Sequence, residues 1–184
     1  MPETTLVRPS FACLPAYVAA LEQGWSPDNL HPHQTRLRHL ASIALDAADF
    51  LDGLDGVAPP GPPPDGAGGR MLPGFRRWIW DGDFCGTIGF RWQPGTAALP
   101  PHVLGHIGYA VVPWKRGRGH AKRALAMLLP EARARGLPYV ELTTSPENLA
   151  SQRVILACGG VLVEHFRKPE AYGGADALRF RVAL

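Results

Sequence analysis

Apolar residues recur at helical spacing in two stretches near the start of the chain, residues 11–24 (FACLPAYVAALEQG) and roughly 33–52 (HQTRLRHLASIALDAADFLD). In the second, Leu37, Leu40, Ile43, Ala44, Ala47 and Phe50 fall on one face, and Gly24 and Gly53 stand where helix stops are expected. Residues 56–74 (GVAPPGPPPDGAGGRMLPG) lack backbone donors at every proline and carry the entropy of many glycines, so they predict a loop, a long excursion within one domain. Alternating residues in RRWIW and FCGTIGFRW around Asp81-Gly82-Asp83 predict a hairpin, and HIGYAVV (106–112) a third strand ended by Pro113. Trp78 and Trp80 share a sheet face, which points to core packing. A helix follows over 119–135, with Ala121, Ala124, Leu125, Leu128 and Ala132 on one side, Pro130 expected to kink or break it, and Gly136 as its stop. A strand at 139–144, a short helix from Asn148 to Ala157, and strands at 161–167 and 177–184 complete the order ααβββαβαββ. That order predicts an α/β (α+β) protein, a mixed sheet with helices, in one domain over 1–184.

Composition narrows the function. With 184 residues, 46% apolar and 19% charged, the chain has the makings of a buried core and none of the bias of a disordered or fibrous protein. No apolar run reaches the ~18 residues of a membrane span, and no basic-then-apolar leader opens the sequence, so no membrane role is expected. Cys13, Cys85 and Cys158 show no C-x-x-C spacing, which excludes a disulfide framework and a standard zinc site and suggests a reducing, cytoplasmic setting. His31, His33 and His39 have no acidic or cysteine ligand at partner spacing.

Net charge is only +3, but residues 115–135 hold seven basic side chains against Glu131 alone. The remainder is therefore net acidic, which argues against nucleic acid as the partner. Arg116-Gly117-Arg118-Gly119-His120-Ala121 opens a helix directly after a strand. Unpaired N–H groups and partial positive charge at a helix start suit a phosphate, and Gly117 and Gly119 let the backbone come close to it. Neither a G-x-x-x-x-G-K-[ST] loop nor a dinucleotide G-x-G-x-x-G is present.

These residues resemble the GNAT superfamily of acetyl-CoA-dependent N-acetyltransferases. The family's [QR]-x-x-G-x-[GA] is met by Arg116, Gly119 and Ala121, and its N-x-x-[AS] element by Asn148-Leu-Ala-Ser151, with Gly159 following. HIGYAVVP with CGGVL is similar to a bacterial branch of such enzymes, and the resemblance runs from about residue 76 to the end. It implies a mostly antiparallel twisted sheet whose central strands splay to admit acetyl-CoA, with no metal. Backbone groups of Tyr109, Ala110 and Val111 would pair with the pantetheine arm. The amides of Arg116, Gly117, Arg118, Gly119, His120 and Ala121 would hold the pyrophosphate, and Asn148 would contact the pantetheine.

The implied acceptor is a primary amine on a small molecule or peptide, attacked directly in a ternary complex; a homodimer is compatible with the family. Many relatives carry a tyrosine seven residues after the asparagine, where this chain has Ile155, so Ser151 is the nearest candidate acid. His106 is the candidate base, with filling of the core edge as its other role, and Glu141 is a weaker substitute. The missing tyrosine keeps open a non-catalytic acyl-CoA binder of the same fold. Asp46, Asp49, Asp52 and Asp55 recur every three residues near the expected end of the second helix, where acids are unfavourable. They are either a solvated face or a lure for a cationic amine.

Overall fold

The computed structural model describes residues 3–55 and 72–184; the expected loop at 56–74 falls, except for its last three residues, outside them. The elements are β1 (Thr5–Val7), α1 (Leu14–Glu22), α2 (Pro32–Leu45), α3 (Ala47–Asp55), β2 (Gly74–Trp80), β3 (Phe84–Arg91) and β4 (Ile107–Val111). After a 3-10 turn at Pro113–Lys115 come α4 (His120–Arg133), β5 (Tyr139–Thr144), α5 (Leu149–Ala157), β6 (Gly160–Arg167) and β7 (Asp176–Ala183). Strands β1-β2-β3-β4 form one sheet and β5-β7-β6 another. β1 lies antiparallel on β2 with Leu6 opposite Ile79, and β7 runs antiparallel to both of its neighbours. This is the mixed α/β arrangement that the alternation of patterns implied. No helix among the described residues is long and apolar enough to cross a membrane.

The chain packs as two compact units: residues 3–55, 75–89 and 109–124, and residues 72–74, 90–108 and 125–184. In the first, Tyr17 stacks on Trp78 at 4.8 Å, while Trp25 and Phe84 meet it edge-on. Leu14, Leu21, Leu51 and Val112 close round these rings, and Trp80 packs against them half-buried. Each such ring pair adds about 1 kcal/mol beyond area burial. In the second unit, β7 sets Phe180 opposite Leu142 and Val182 opposite Val140, all buried.

Several expectations need correction. The second predicted helix is two helices, because Asp46 is extended (φ −155°) and its Oδ1 accepts from the amides of Ala48 and Asp49 at 3.0 Å. Asp46 is thus the N-cap of α3, and Asp49 lies in the favoured first turn of a helix rather than the unfavoured last. Asp55 pairs with Arg77 and, at 3.7 Å, with Arg8. Gly53 lies inside α3 and stops nothing. Leu37 and Ala44 are exposed, off the face that packs. α4 runs three residues past Pro130, since the ring forfeits one hydrogen bond but the Pro130 carbonyl still accepts from the Ala134 amide at 3.0 Å.

Candidate active site

The turn from β4 into α4 has the form its sequence suggested. Gly117 (φ +75°) and Gly119 (φ +79°) are both left-handed, a conformation that costs other residues about 1–2 kcal/mol. Between them Arg118 is exposed, as is Arg116. α4 then carries Ala124, Leu125, Leu128 and Ala132 into buried positions, so its apolar stripe fixes the helix whose first amides face this turn. Upstream, β4 stands at the end of its sheet, where outer backbone groups can receive an added strand. Tyr109, Ala110 and Val111 are half-buried along it. Gly86 of β3 lets β4 come this close: a Cβ there would lie 2.1 Å from the Ala110 carbonyl oxygen. Arg116 turns back to the strand, its Nε donating to the Val111 carbonyl at 3.1 Å.

Behind the turn lies a cluster that the sequence did not disclose. Lys115 donates to Asp81 at 2.5 Å and lies 3.6 Å from Asp83, so it is a paired cation and not part of the charge offered to an anion. Burial pushes the Asp81 carboxyl up, but the Lys115 bond and charge outweigh it and hold Asp81 below the usual carboxylate range. His120 is buried, with Nδ1 2.9 Å from the Thr4 hydroxyl and Nε2 3.5 Å from Asp81; burial keeps this imidazole below its ordinary pKa. Arg123 donates from Nε to Thr4 Oγ1 at 2.7 Å and from a terminal nitrogen to the Arg118 carbonyl at 2.6 Å. These side chains line a cavity of about 700 Å³. The ligand atoms of Asp81, Cys85 and His120 lie within 4.8 Å of one another, in reach of one metal ion. However, Lys115 already supplies the cation there, and burial pushes the Cys85 thiol up to about 12. The set therefore reads as the bracing of a turn rather than as a metal centre.

In the second unit, His106 is fully buried, and its Nδ1 accepts from the Glu141 amide at 2.9 Å. Burial holds the imidazole down to about 4. The one lone pair of a neutral imidazole is thereby taken, so His106 is a structural acceptor at the core edge and not a base poised for an amine. Glu141 is engaged as well, by Arg179 at 3.0 Å and Arg181 at 2.7 Å. Burial raises its pKa, but the bonds from Arg181 and Arg179 prevail and hold it below the usual range, which makes it a weak base. Asn148 caps α5, its Oδ1 accepting from the Ser151 amide at 3.1 Å. Ser151 thus sits in the first turn of α5, half-buried. Ile155 is buried, and a Cβ on Gly160 would come 2.4 Å from its methyl group, so core packing fills the place where relatives carry a tyrosine.

The residues that sequence reasoning missed here are Thr4, Asp81 and Arg123. Asp81 was visible only as a turn residue and Arg123 only as one charge among seven. Nothing local announces Thr4, 119 positions from the arginine it holds.

Comparison with known proteins gives one family and one fold. No curated protein sequence matches the chain. Among solved structures, the microcin C7 self-immunity acetyltransferase MccE, in complex with acetyl-CoA and AMP, superposes with a TM-score of 0.66 at 15% identity, covering 99% of this chain and 93% of that one. RimL, a ribosomal L7/L12 α-N-protein acetyltransferase in complex with coenzyme A, gives 0.63 at 15% identity, over 98% and 94%. A GNAT-family acetyltransferase from Bordetella pertussis gives 0.60 at 20%, over 98% and 95%. At these identities the likeness establishes the fold. The pattern described as the acetyltransferase (GNAT) family matches residues 64–159, just over half of the sequence and the whole of the β4–α4 turn, and the chain belongs to that family.

Proposed function

We propose that the chain transfers the acetyl group of acetyl-CoA to a primary amine by direct attack in a ternary complex, both units serving as one acetyltransferase domain. The observation that carries this is the β4–α4 turn, with two left-handed glycines ahead of a 14-residue helix and an end strand leading into it. Backbone N–H groups from Gly117 to Ala121 hold the pyrophosphate, the Arg116 amide being given instead to the Pro113 carbonyl at 3.3 Å, and the backbone of Tyr109, Ala110 and Val111 takes the pantetheine as an added strand. On the family pattern, Asn148 also contacts the pantetheine, and the Ser151 hydroxyl returns a proton to the departing thiolate. The thioester supplies an activated acyl carbon and a good leaving group.

An alkylamine of pKa ~10 is only about one part in a thousand neutral at pH 7. With His106 and Glu141 both committed elsewhere, deprotonation falls to water and to desolvation of the amine as it binds. Holding the partners together then carries much of the acceleration, with a backbone N–H near Val111 facing the developing oxyanion. A small-molecule or peptide amine is the acceptor class, and the free cysteines fit a reducing, cytoplasmic setting.

The test is calorimetric titration of acetyl-CoA and of CoA into the native protein and into Gly119→Glu. Micromolar binding by the native protein, lost in the variant, is expected. Absence of binding by the native protein overturns the reading. Thiol release with any amine in a subsequent screen excludes the non-catalytic alternative.

A further inference from the structure

Arg123 stands one helical turn beyond Gly119, its amide donating to the Gly119 carbonyl at 3.1 Å, yet its side chain folds back over the turn. The guanidinium lies against Gly119: a Cβ there would meet its Nη1, Cζ and Nη2 at 2.9, 3.5 and 3.7 Å. One terminal nitrogen holds the Arg118 carbonyl, and Nε is anchored on the Thr4 hydroxyl. Thr4 is buried to 3% exposure, just ahead of β1, so the anchor is a fixed one. Because Arg123 donates to Thr4, the hydroxyl keeps its own proton to give to His120 Nδ1 at 2.9 Å. That leaves the ring proton on Nε2, facing the Asp81 carboxylate.

We infer that Arg123 and Thr4 are positioning residues for the anion-binding turn. The peptide between Arg118 and Gly119 is trans, so its C=O and N–H point in opposite directions. Fixing the carbonyl on Arg123 aims the Gly119 N–H away from it, to the side where the turn receives an anion. The same contact satisfies the Arg118 carbonyl, and it brings a guanidinium close to the glycine. Gly119 is required for its left-handed backbone, and its bare surface is where the guanidinium rests. A segment near the N-terminus, with no part in the family motif, in this way sets the geometry of the cofactor turn.

This rests on the proposed acetyl-CoA site, and the two fail separately. If the native protein binds no CoA, the site itself is wrong. If it binds CoA and the variants bind equally well, only the positioning role is wrong. CoA is titrated into native protein, Arg123→Ala, Thr4→Val and Thr4→Ser, and the Gly119 amide resonance is followed in each. The expected result is CoA affinity weaker by roughly tenfold in Arg123→Ala, the size of a lost charge-assisted hydrogen bond, and by about three- to fivefold in Thr4→Val, where Arg123 loses its anchor but keeps its nitrogen for the Arg118 carbonyl. Thr4→Ser, which retains the hydroxyl, restores native affinity and the native Gly119 shift on CoA addition. A general loss of structure would instead move resonances throughout the spectrum and would not be rescued by serine. Affinity within twofold of native in both Arg123→Ala and Thr4→Val, or a Gly119 shift that ignores them, overturns the inference.

Discussion

Two strand-to-helix junctions of this chain are built differently. At β5–α5, Asn148 satisfies the helix start locally, its own side chain accepting from the Ser151 amide. At β4–α4 the corresponding position is Gly119, which has no side chain to cap with, and the junction is braced from behind by Arg123, Thr4, His120, Asp81 and Lys115. A self-capped helix start has spent its donor on the protein. A start held from outside keeps its first amides for a ligand, the role we propose for this turn.

The largest break in that contrast comes from Gly119→Glu. A side chain at φ +79° is strained, meets the Arg123 guanidinium at 2.9 Å, and brings a carboxylate to an anion site. CoA affinity should fall roughly 100-fold or more, read by calorimetry. Next is Asp81→Asn, which takes from the shielded Lys115 ammonium the nearer and more buried of its two carboxylates. A loss of about 2 kcal/mol, between the values for exposed and buried pairs, is expected from urea midpoints. Asn148→Ala should be milder, about 1 kcal/mol for a lost cap and a melting shift of roughly 2–4 °C. Asn148→Asp should recover that stability, since aspartate caps as well. If Asn148 also donates its amide to the pantetheine, weak CoA binding will persist in the aspartate variant.

Titration gives the effect that is smallest at neutral pH. His106 and His39 are both held down to about 4, chiefly by burial, whereas an unfolded histidine titrates near 6.5. Between those values the unfolded chain binds the extra protons, so stability falls as pH drops from about 6.5 towards 4 and is unaffected above. Around His106 the charges are Glu141, which opposes the shift, and Arg91 and Arg179, which reinforce it. A denaturation series in that window should show a shallower slope for His106→Gln than for the native protein. Equal slopes would mean that His106 is protonated in the folded state.

What could be read from the residues in order was whatever local periodicity and local chemistry control. The buried stripe of α4, the strands of both sheets and the glycine turn belong to this class, because a period of two or 3.6 and a left-handed glycine need only near neighbours. Even locally there were limits. β1 is three residues long, too short to show a period, and Asp46 divides a continuous apolar stripe by capping a new helix within it. The function proposed for the turn rests on the same ground as its shape: the groups suited to an anion are consecutive backbone amides. Tertiary structure alone decided the rest. It gave Lys115 to Asp81, 34 positions away, and so took it from the charge open around the turn. It set Thr4 under Arg123, and it committed the lone pair of His106 to the Glu141 amide. Charge and basicity depend on which groups burial brings together, and no spacing in the sequence records that.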